Sequence, residues 1–416
     1  MPPATVSPLV EPSPSTPAHP SAPTYPTTPP HPRAVAWDEA RTRAHGAARP
    51  APPRRVPLDE AAGLTLAADL LALAPQPAFD TAAMDGFAVS GPPPWHLRGA
   101  ARAGVPWGGL LTPGTCVRIS TGALVPPGAD AVLPSELATV AGGLVSGPVL
   151  PTGRHIRRTG EDATAGDILA PAGTRIGPAL LGLAAAAGHD TLPVRLRPRV
   201  AVLVTGDELD HAGTAAPGRV RDALGPLLPR LVGDFGGEAV AVRHVPDSPA
   251  GRLAEEVRGR DRAEVVVVTG STSVGTTDQL RRLLADGAAR TVVDTVACRP
   301  GHPMLLAELR TGQLLVGLPG NPYAALVAAH TLLGPLLAGL SGRPLPLLPR
   351  VPVHGDAPAL AGRTRLVPVA WSPDGCRIVA GHGAAFLRGA AVGDALAALG
   401  PDWTAGSPAP LLLPRG

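Results

Sequence analysis

The period of the apolar positions divides the chain. Residues 197–344 hold five short, almost wholly apolar runs: RVAVLVT, EAVAVRHV, EVVVVTG, TVVDTVA and LLVGLPG. Stretches with helical spacing separate or follow them: DALGPLLPRLVGDFG, SPAGRLAEEVRGR, TTDQLRRLLADG and NPYAALVAAHTLLGPLLAGL. Continuous apolar strands alternating with helices predict a parallel sheet covered on both faces. Pro226 and Pro229 fall inside the first of these helices and are expected to distort it.

The flanking regions follow other periods. A helix is predicted over Val35–Gly46 and a second over Leu58–Leu73, with Pro57 just ahead of it. From Leu97 to Val149 the pieces TCVRIST, DAVLPSE and GGLVSGPVL are short, β-like and broken by Gly and Pro, the texture of a small barrel or sandwich. DILAPAGTRI reads as a strand, and ALLGLAAAAG as a helix ending at Gly188. After RPLPLLPRVPV, short strands return to the end of the chain. Residues 1–33 hold twelve prolines and almost no large aliphatic side chain, so they cannot bury enough surface to order themselves.

Composition narrows the function classes. The 36 basic residues against 33 acids give a net charge of only +3, and all 36 are arginine. They are scattered and rarely flanked by aromatics, which argues against a nucleic-acid partner. Cys116, Cys298 and Cys376 are too far apart for metal or disulfide spacing, as expected of a reduced intracellular protein. No apolar run reaches 18 residues and no leader pattern opens the chain, so a cytoplasmic protein with no membrane partner is expected. The single asparagine, Asn321, stands out against this bias.

In an open parallel sheet, ligands bind where the carboxyl ends of strands lead into helices. Three loops have that placement: Thr205–Leu209 (TGDEL), Thr269–Asp278 (TGSTSVGTTD) and Leu318–Ala324 (LPGNPYA). Gly270, Ser271, Ser273 and Gly275 offer backbone N–H groups and hydroxyls to an anion. Asn321 occupies an N-cap position with Pro322 at the first helical residue. Each loop alone is equally well read as a plain strand–helix turn; the three together favour a phosphate or other anion site. Asp207, Glu208, Asp222 and Asp278 gather at the same edge, where carboxylates hold a divalent ion beside phosphates. Arg299 and His302 in CRPGHPM oppose them as an oxyanion clamp, His302 only when protonated. This mixture fits metal-assisted phosphoryl or nucleotidyl chemistry better than hydride transfer.

These loops, with PAFDTAAMDGFAV, RISTGALVPPGADAV, RRTGEDATAGD, GSTSVG, RPGHP and GLPGNP, resemble in order those of the molybdopterin molybdenumtransferase family. The resemblance covers about residues 34–416. Beyond the Pro-rich tail (1–33), it implies an elongated α/β plus β subunit: an elongated N-terminal domain (34–85 and 150–196), an inserted small β domain (86–149), a doubly wound α/β molybdopterin-binding domain (197–344) and a C-terminal β domain (345–416). It also implies insertion of molybdate into adenylylated molybdopterin with release of AMP and help from Mg²⁺. The subunit is implied to be a homodimer whose site is shared between subunits, with other molybdenum-cofactor synthesis proteins as further candidate partners. Asp278, Asp222 and Glu208 are implied as catalytic and metal-holding acids. Asp80, Asp85, Thr121, Arg157, Arg158, Gly270, Ser271, Ser273, Gly275, Pro319, Gly320, Asn321 and Pro322 are implied to hold substrate, and Arg299, His302 and Arg363 molybdate.

The sequence departs from the family pattern at Thr81, Ala82, Ser271, Ala223, Leu224, His302 and Ala324. Those departures keep two alternatives open: a catalytically weakened molybdopterin-binding or carrier paralogue, and a molybdopterin adenylyltransferase. A cationic His302 would make molybdate affinity fall as pH rises through its pKa.

Overall fold

Alternation within single strands shows how the α/β region folds. In β1 (Arg199–Thr205), Val200, Val202 and Val204 enter one apolar cluster while Ala201 and Leu203 enter another. A strand that buries both pleat faces belongs between two helical layers. The computed structural model, which describes residues 34–248, 251–260, 262–270, 279–287, 289–358, 360–380 and 383–413, has that arrangement. With β2 (Glu238–Val245), β3 (Val265–Thr269), β4 (Arg290–Asp294), β5 (Leu305–Glu308) and β6 (Leu314–Leu318), β1 forms a six-stranded sheet of order β2-β1-β3-β6-β5-β4. Four neighbours, β2, β1, β3 and β6, are parallel. Strand β5, which the apolar pattern did not single out, is antiparallel to both β6 and β4, so the sheet is mixed rather than wholly parallel. Two reversals return β4 to the direction of β6.

Helix α1 (Trp37–Gly46) packs on the first face of this sheet, and the predicted helix over Val35–Gly46 is present. The helix at Leu224–Asp234 forms with Pro229 inside it. Pro226 lies in the first turn, where the missing N–H has no helical partner in any case, and the burial of Leu224, Leu228, Leu231 and Val232 holds the rest. At roughly 1.5–3 kcal/mol for each fully buried aliphatic side chain, those four outweigh the proline penalty of about 3 kcal/mol. Helices Arg252–Arg258 and Gln279–Asp286 pack on the opposite face.

The long apolar helix Pro322–Leu340 spans 19 residues and is almost wholly buried, which makes it the core helix of the α/β region although it has the length and hydropathy of a membrane span. Its middle, Ala329–Leu333, widens into a π turn just ahead of Pro335, where the proline ring and missing N–H disturb the regular ladder. His330 lies in that turn, buried, with no hydrogen-bond partner for Nε2 among the described residues.

Strands Ala131–Pro134, Gly86–Ser90, Thr115–Ile119, Trp95–Ala101, Leu144–Ser146 and Thr139–Ala141 form, in that order, a second sheet with apolar clusters on both faces. The helix expected over Leu58–Leu73 is absent. Leu58–Glu60 is one 3₁₀ turn, and Thr65–Leu66 and Leu70–Leu71 are short strands. Gly63, at φ +76°, ends any helix, and pairing with Thr191–Arg195 and Ile168–Ala170 overrides local propensity. The expected strand and helix at 168–188 form as Ile168–Ala170 and Pro178–Ala186.

In the C-terminal region, strand Thr364–Ser372 pairs with both Gly375–Ile378 and Ala395–Leu399, closing five strands into a small barrel. A sixth, the two-residue strand Cys298–Arg299 from the β4–β5 connection, adds to it in parallel.

Candidate functional site

The sheet order places a topological switch between β1 and β3: the chain leaves β1 for β2 on one side, then crosses back to β3 on the other. Ligands of doubly wound sheets bind outside the strand ends at such a point. There Thr205 Oγ1 donates to the Thr269 carbonyl at 2.5 Å, and Gly270 N–H donates to the Leu318 carbonyl at 3.1 Å. Gly270 has φ +84°, and a Cβ on it would lie 2.8 Å from Thr205 Oγ1; a Cβ on Gly320 would lie 3.4 Å from Gly270 Cα. All three strand-end loops therefore meet, with bare backbone at the junction. Pro319 is buried and Gly320 exposed beside it. Ser271, Ser273, Gly275 and Asp278 lie outside the described residues.

Asn321 has the extended conformation of an N-cap, yet its side chain makes no capping hydrogen bond. The cap expected of it is supplied differently: Ala324 N–H donates to the Ala384 carbonyl at 3.0 Å. Pro322 begins the helix, and Tyr323 is buried with its hydroxyl donating to the Leu366 carbonyl of the barrel at 3.0 Å.

The acids divide. Asp222 is a helix cap, its Oδ1 accepting from both Leu224 and Gly225 N–H at 2.9 Å, and its Oδ2 lies 3.6 Å from His211 Nδ1. Glu208 folds back over Gly206, close enough that a Cβ on that glycine would lie 2.6 Å from the carboxylate. Asp247, just past the carboxyl end of β2, falls in none of the sequence motifs but belongs here. Its N–H donates to Asp207 Oδ1 at 3.0 Å, and desolvation, with the negative charges of Asp207 and Glu208, pushes its carboxyl above the usual range. Its position directly after an apolar strand is the signal that could have found it. His244 also contributes, sharing a 2.8 Å hydrogen bond between Nε2 and the Gly206 carbonyl and meeting His211 edge-on with centroids 4.5 Å apart.

Opposite the acids is a cationic group. Leu305 pairs with Gly317 near the carboxyl end of β6, so the β4–β5 connection carrying Arg299 and His302 rises at the same sheet edge as PGNP. A Cβ on Gly301 would come 3.1 Å from the Ala324 carbonyl, which shows how closely the two loops pack. Arg299 and Arg363 both act on His302, and burial together with these two positive charges lowers its pKa from the ordinary histidine value. The environment of His302 thus works against its protonated form, and the fixed charge of this group is arginine charge.

A third group lies in the N-terminal modules. Asp80 accepts from Thr159 N–H at 2.8 Å and from Arg158 at 2.6 Å, and Asp85 accepts from Thr121 N–H at 2.6 Å and its hydroxyl at 2.9 Å. The Thr159 amide bond, with Arg158, holds the Asp80 carboxyl below its usual range; the Thr121 bonds do the same for Asp85. Arg157 pairs with Thr81 between short strands, so DTAAMDG, STGAL and RRTGED form one surface. That surface is not joined to the sheet edge by the hydrogen bonds or ion pairs of these acids, all of which stay within the N-terminal modules. The chain enters β1 at its amino end, after Thr191–Arg195, so the modules extend from the edge opposite the three loops.

Residues 35–188 match the MoeA N-terminal region (domain I and II), and residues 201–339 a probable molybdopterin binding domain. Two molybdopterin molybdenumtransferases of Mycobacterium tuberculosis are similar. Number 2 is 36% identical over 66% of this chain and 72% of its own length; number 1 is 34% identical over 71% and 76%. The molybdopterin molybdenumtransferase of Synechococcus elongatus is 33% identical over 67% of this chain and 73% of its own. A crystal structure of the molybdopterin biosynthesis moeA protein from Pyrococcus horikoshii, 22% identical, shares the fold with a TM-score of 0.77 over 91% of this chain and 100% of that one.

Proposed function

The chain belongs to the molybdopterin molybdenumtransferase family, and from that premise we propose that it inserts molybdate into adenylylated molybdopterin and releases AMP, giving molybdenum cofactor. The observation that carries this reading is the meeting, on one sheet edge, of a bare-backbone loop junction at Gly270 and Gly320 with the arginine group at Arg299 and Arg363. The first suits phosphates and the second a dianionic oxyanion.

The chemistry balances without another reactant. Two Mo–S bonds form to the dithiolene sulfurs, and one oxide of molybdate leaves as water with the two thiol protons. One water cleaves the phosphoanhydride, leaving AMP and the terminal phosphate of the pterin. Gly270, Pro319 and Gly320 present backbone to the phosphates, while Arg299 and Arg363 orient molybdate toward the sulfurs. Asp222 positions the helix it caps. Asp278 retains its proposed catalytic role on the strength of the family resemblance.

The donor set fits Mg²⁺. Burial, with the charges of Asp207 and Glu208, raises Asp247, and Mg²⁺ needs only one or two carboxylates when phosphates and water complete its shell. Among the described residues no group of three His, Cys, Asp or Glu side chains is placed to hold a metal by itself, so these acids would supply only part of its shell. Bound there, Mg²⁺ would neutralise phosphate charge as the anhydride breaks.

The proposed assembly is a homodimer in which Asp80, Asp85, Thr121, Arg157 and Arg158 reach the sheet edge of the second copy; their direction away from their own edge supports this. A cytoplasmic setting agrees with three free, buried cysteines. The test is AMP release from adenylylated molybdopterin with molybdate and Mg²⁺. No release above background retires the reading, and tight pterin binding without release would favour a carrier. Formation of adenylylated molybdopterin from ATP would favour the adenylyltransferase.

A further inference from the structure

Within the barrel strand Thr364–Ser372, residues two apart share a face, so Arg365 lies on the side of Val367 and Val369, which belong to the barrel core. Its cross-strand neighbours are Leu399 on one side and Arg299 on the other. Two arginines at paired positions of adjacent strands are a like-charge pair, which costs stability. Burial adds to the cost: Arg365 Nε is shielded from solvent with no hydrogen-bond partner among the described residues. Burial and the charge of Arg299 both lower the Arg365 pKa, and among the described residues no acid offsets them. Arg363, two residues earlier, acts on the same loop through His302 and Cys298.

Resting on the molybdate reading above, we infer that Arg365 is a further oxyanion-binding residue, which joins Arg299 and Arg363 in presenting fixed positive charge to the anion. The site then takes the tetrahedral dianion through fixed arginine charge at the mouth of the barrel. Arg365 is a residue kept for its ligand at the expense of the free fold.

Molybdate binding to the full chain, measured calorimetrically without pterin and against sulfate as competitor, tests this with a readout separate from turnover. Arg365→Gln should weaken molybdate binding by about tenfold or more, while the melting temperature without anion holds or rises as the like-charge pair is relieved. Arg365→Lys should restore part of the affinity. A lower melting temperature with unchanged molybdate affinity would make Arg365 a structural residue and overturn the inference. If Arg299→Gln abolishes binding while Arg365→Gln leaves it intact, the inference fails and the molybdate reading stands. If Arg299→Gln, Arg363→Gln and Arg365→Gln all leave binding unchanged, the molybdate reading of this loop falls with it.

Discussion

The N-terminal acids and the α/β edge treat charge in opposite ways. Asp80 and Asp85 are each held by a backbone amide and a threonine hydroxyl, Asp80 by Arg158 as well, and both carboxyls sit below their usual range. At the sheet edge the shifts run against charge: burial, with two neighbouring acids, raises Asp247, while burial, with neighbouring arginines, lowers His302 and Arg365. One surface is electrostatically complete without a ligand. The other is arranged around charges that must arrive from outside. Catalytic sites are where such unfavourable environments concentrate.

The largest effect that would break this contrast is at Arg299. Arg299→Ala should lower AMP release by roughly a hundredfold or more, the scale of losing an oxyanion-holding group; a loss under threefold would show that the cationic edge holds nothing reactive. Next, Asp80→Ala and Glu208→Ala should each inactivate a pure preparation, yet mixed dimers should regain a substantial part of wild-type AMP release, because each copy then contributes one intact half. Failure to complement would place both groups in the same site of one chain.

The pH dependence of binding sharpens the same comparison. Burial, with the charges of Arg363 and Arg299, lowers the His302 pKa, so any fall in molybdate affinity that its deprotonation causes should come below the ordinary histidine value. A steep fall centred above that value would contradict this environment.

A smaller effect concerns His330, which burial pushes down to about 4. Between that value and the ordinary histidine pKa of about 6.5, the unfolded chain binds a proton that the folded one does not. Stability should therefore fall as pH drops through this window, by at most about 3 kcal/mol. His330→Leu should flatten that slope in thermal melts; an unchanged slope would assign it elsewhere. Smallest of all, Asp247→Asn should leave the melting temperature at neutral pH equal or slightly higher, since it relieves repulsion from Asp207 and Glu208, while impairing Mg²⁺-dependent turnover.

The α/β region was legible in the sequence because the valine runs at 200–204 and 265–268 bury both pleat faces and admit few alternatives. The three loops were legible for the same reason: once strands are placed, the Gly-rich segments after them must share an edge. What the sequence concealed depended on distant partners. Residues 58–73 have helical spacing, but Gly63 and the strand at 191–195 decide otherwise. Asp222 carries an acid at the expected place, and only the geometry shows its Oδ1 already committed to two amides. Arg363 and Arg365 were interchangeable as candidate cations in the sequence, and only strand pairing sets Arg365 directly beside Arg299.

That pairing has an architectural consequence. Cys298 and Arg299 lie in the connection between two strands of one domain and hydrogen-bond as an extra strand to the barrel of another. The loop is thus a rivet between two bodies. Chain cut after the α/β region would keep the Gly270–Gly320 junction but lose Arg363, Arg365 and the strand that anchors Arg299. The proposed phosphate half of the site is intrinsic to one domain, whereas the proposed molybdate half exists only while two domains stay fastened together.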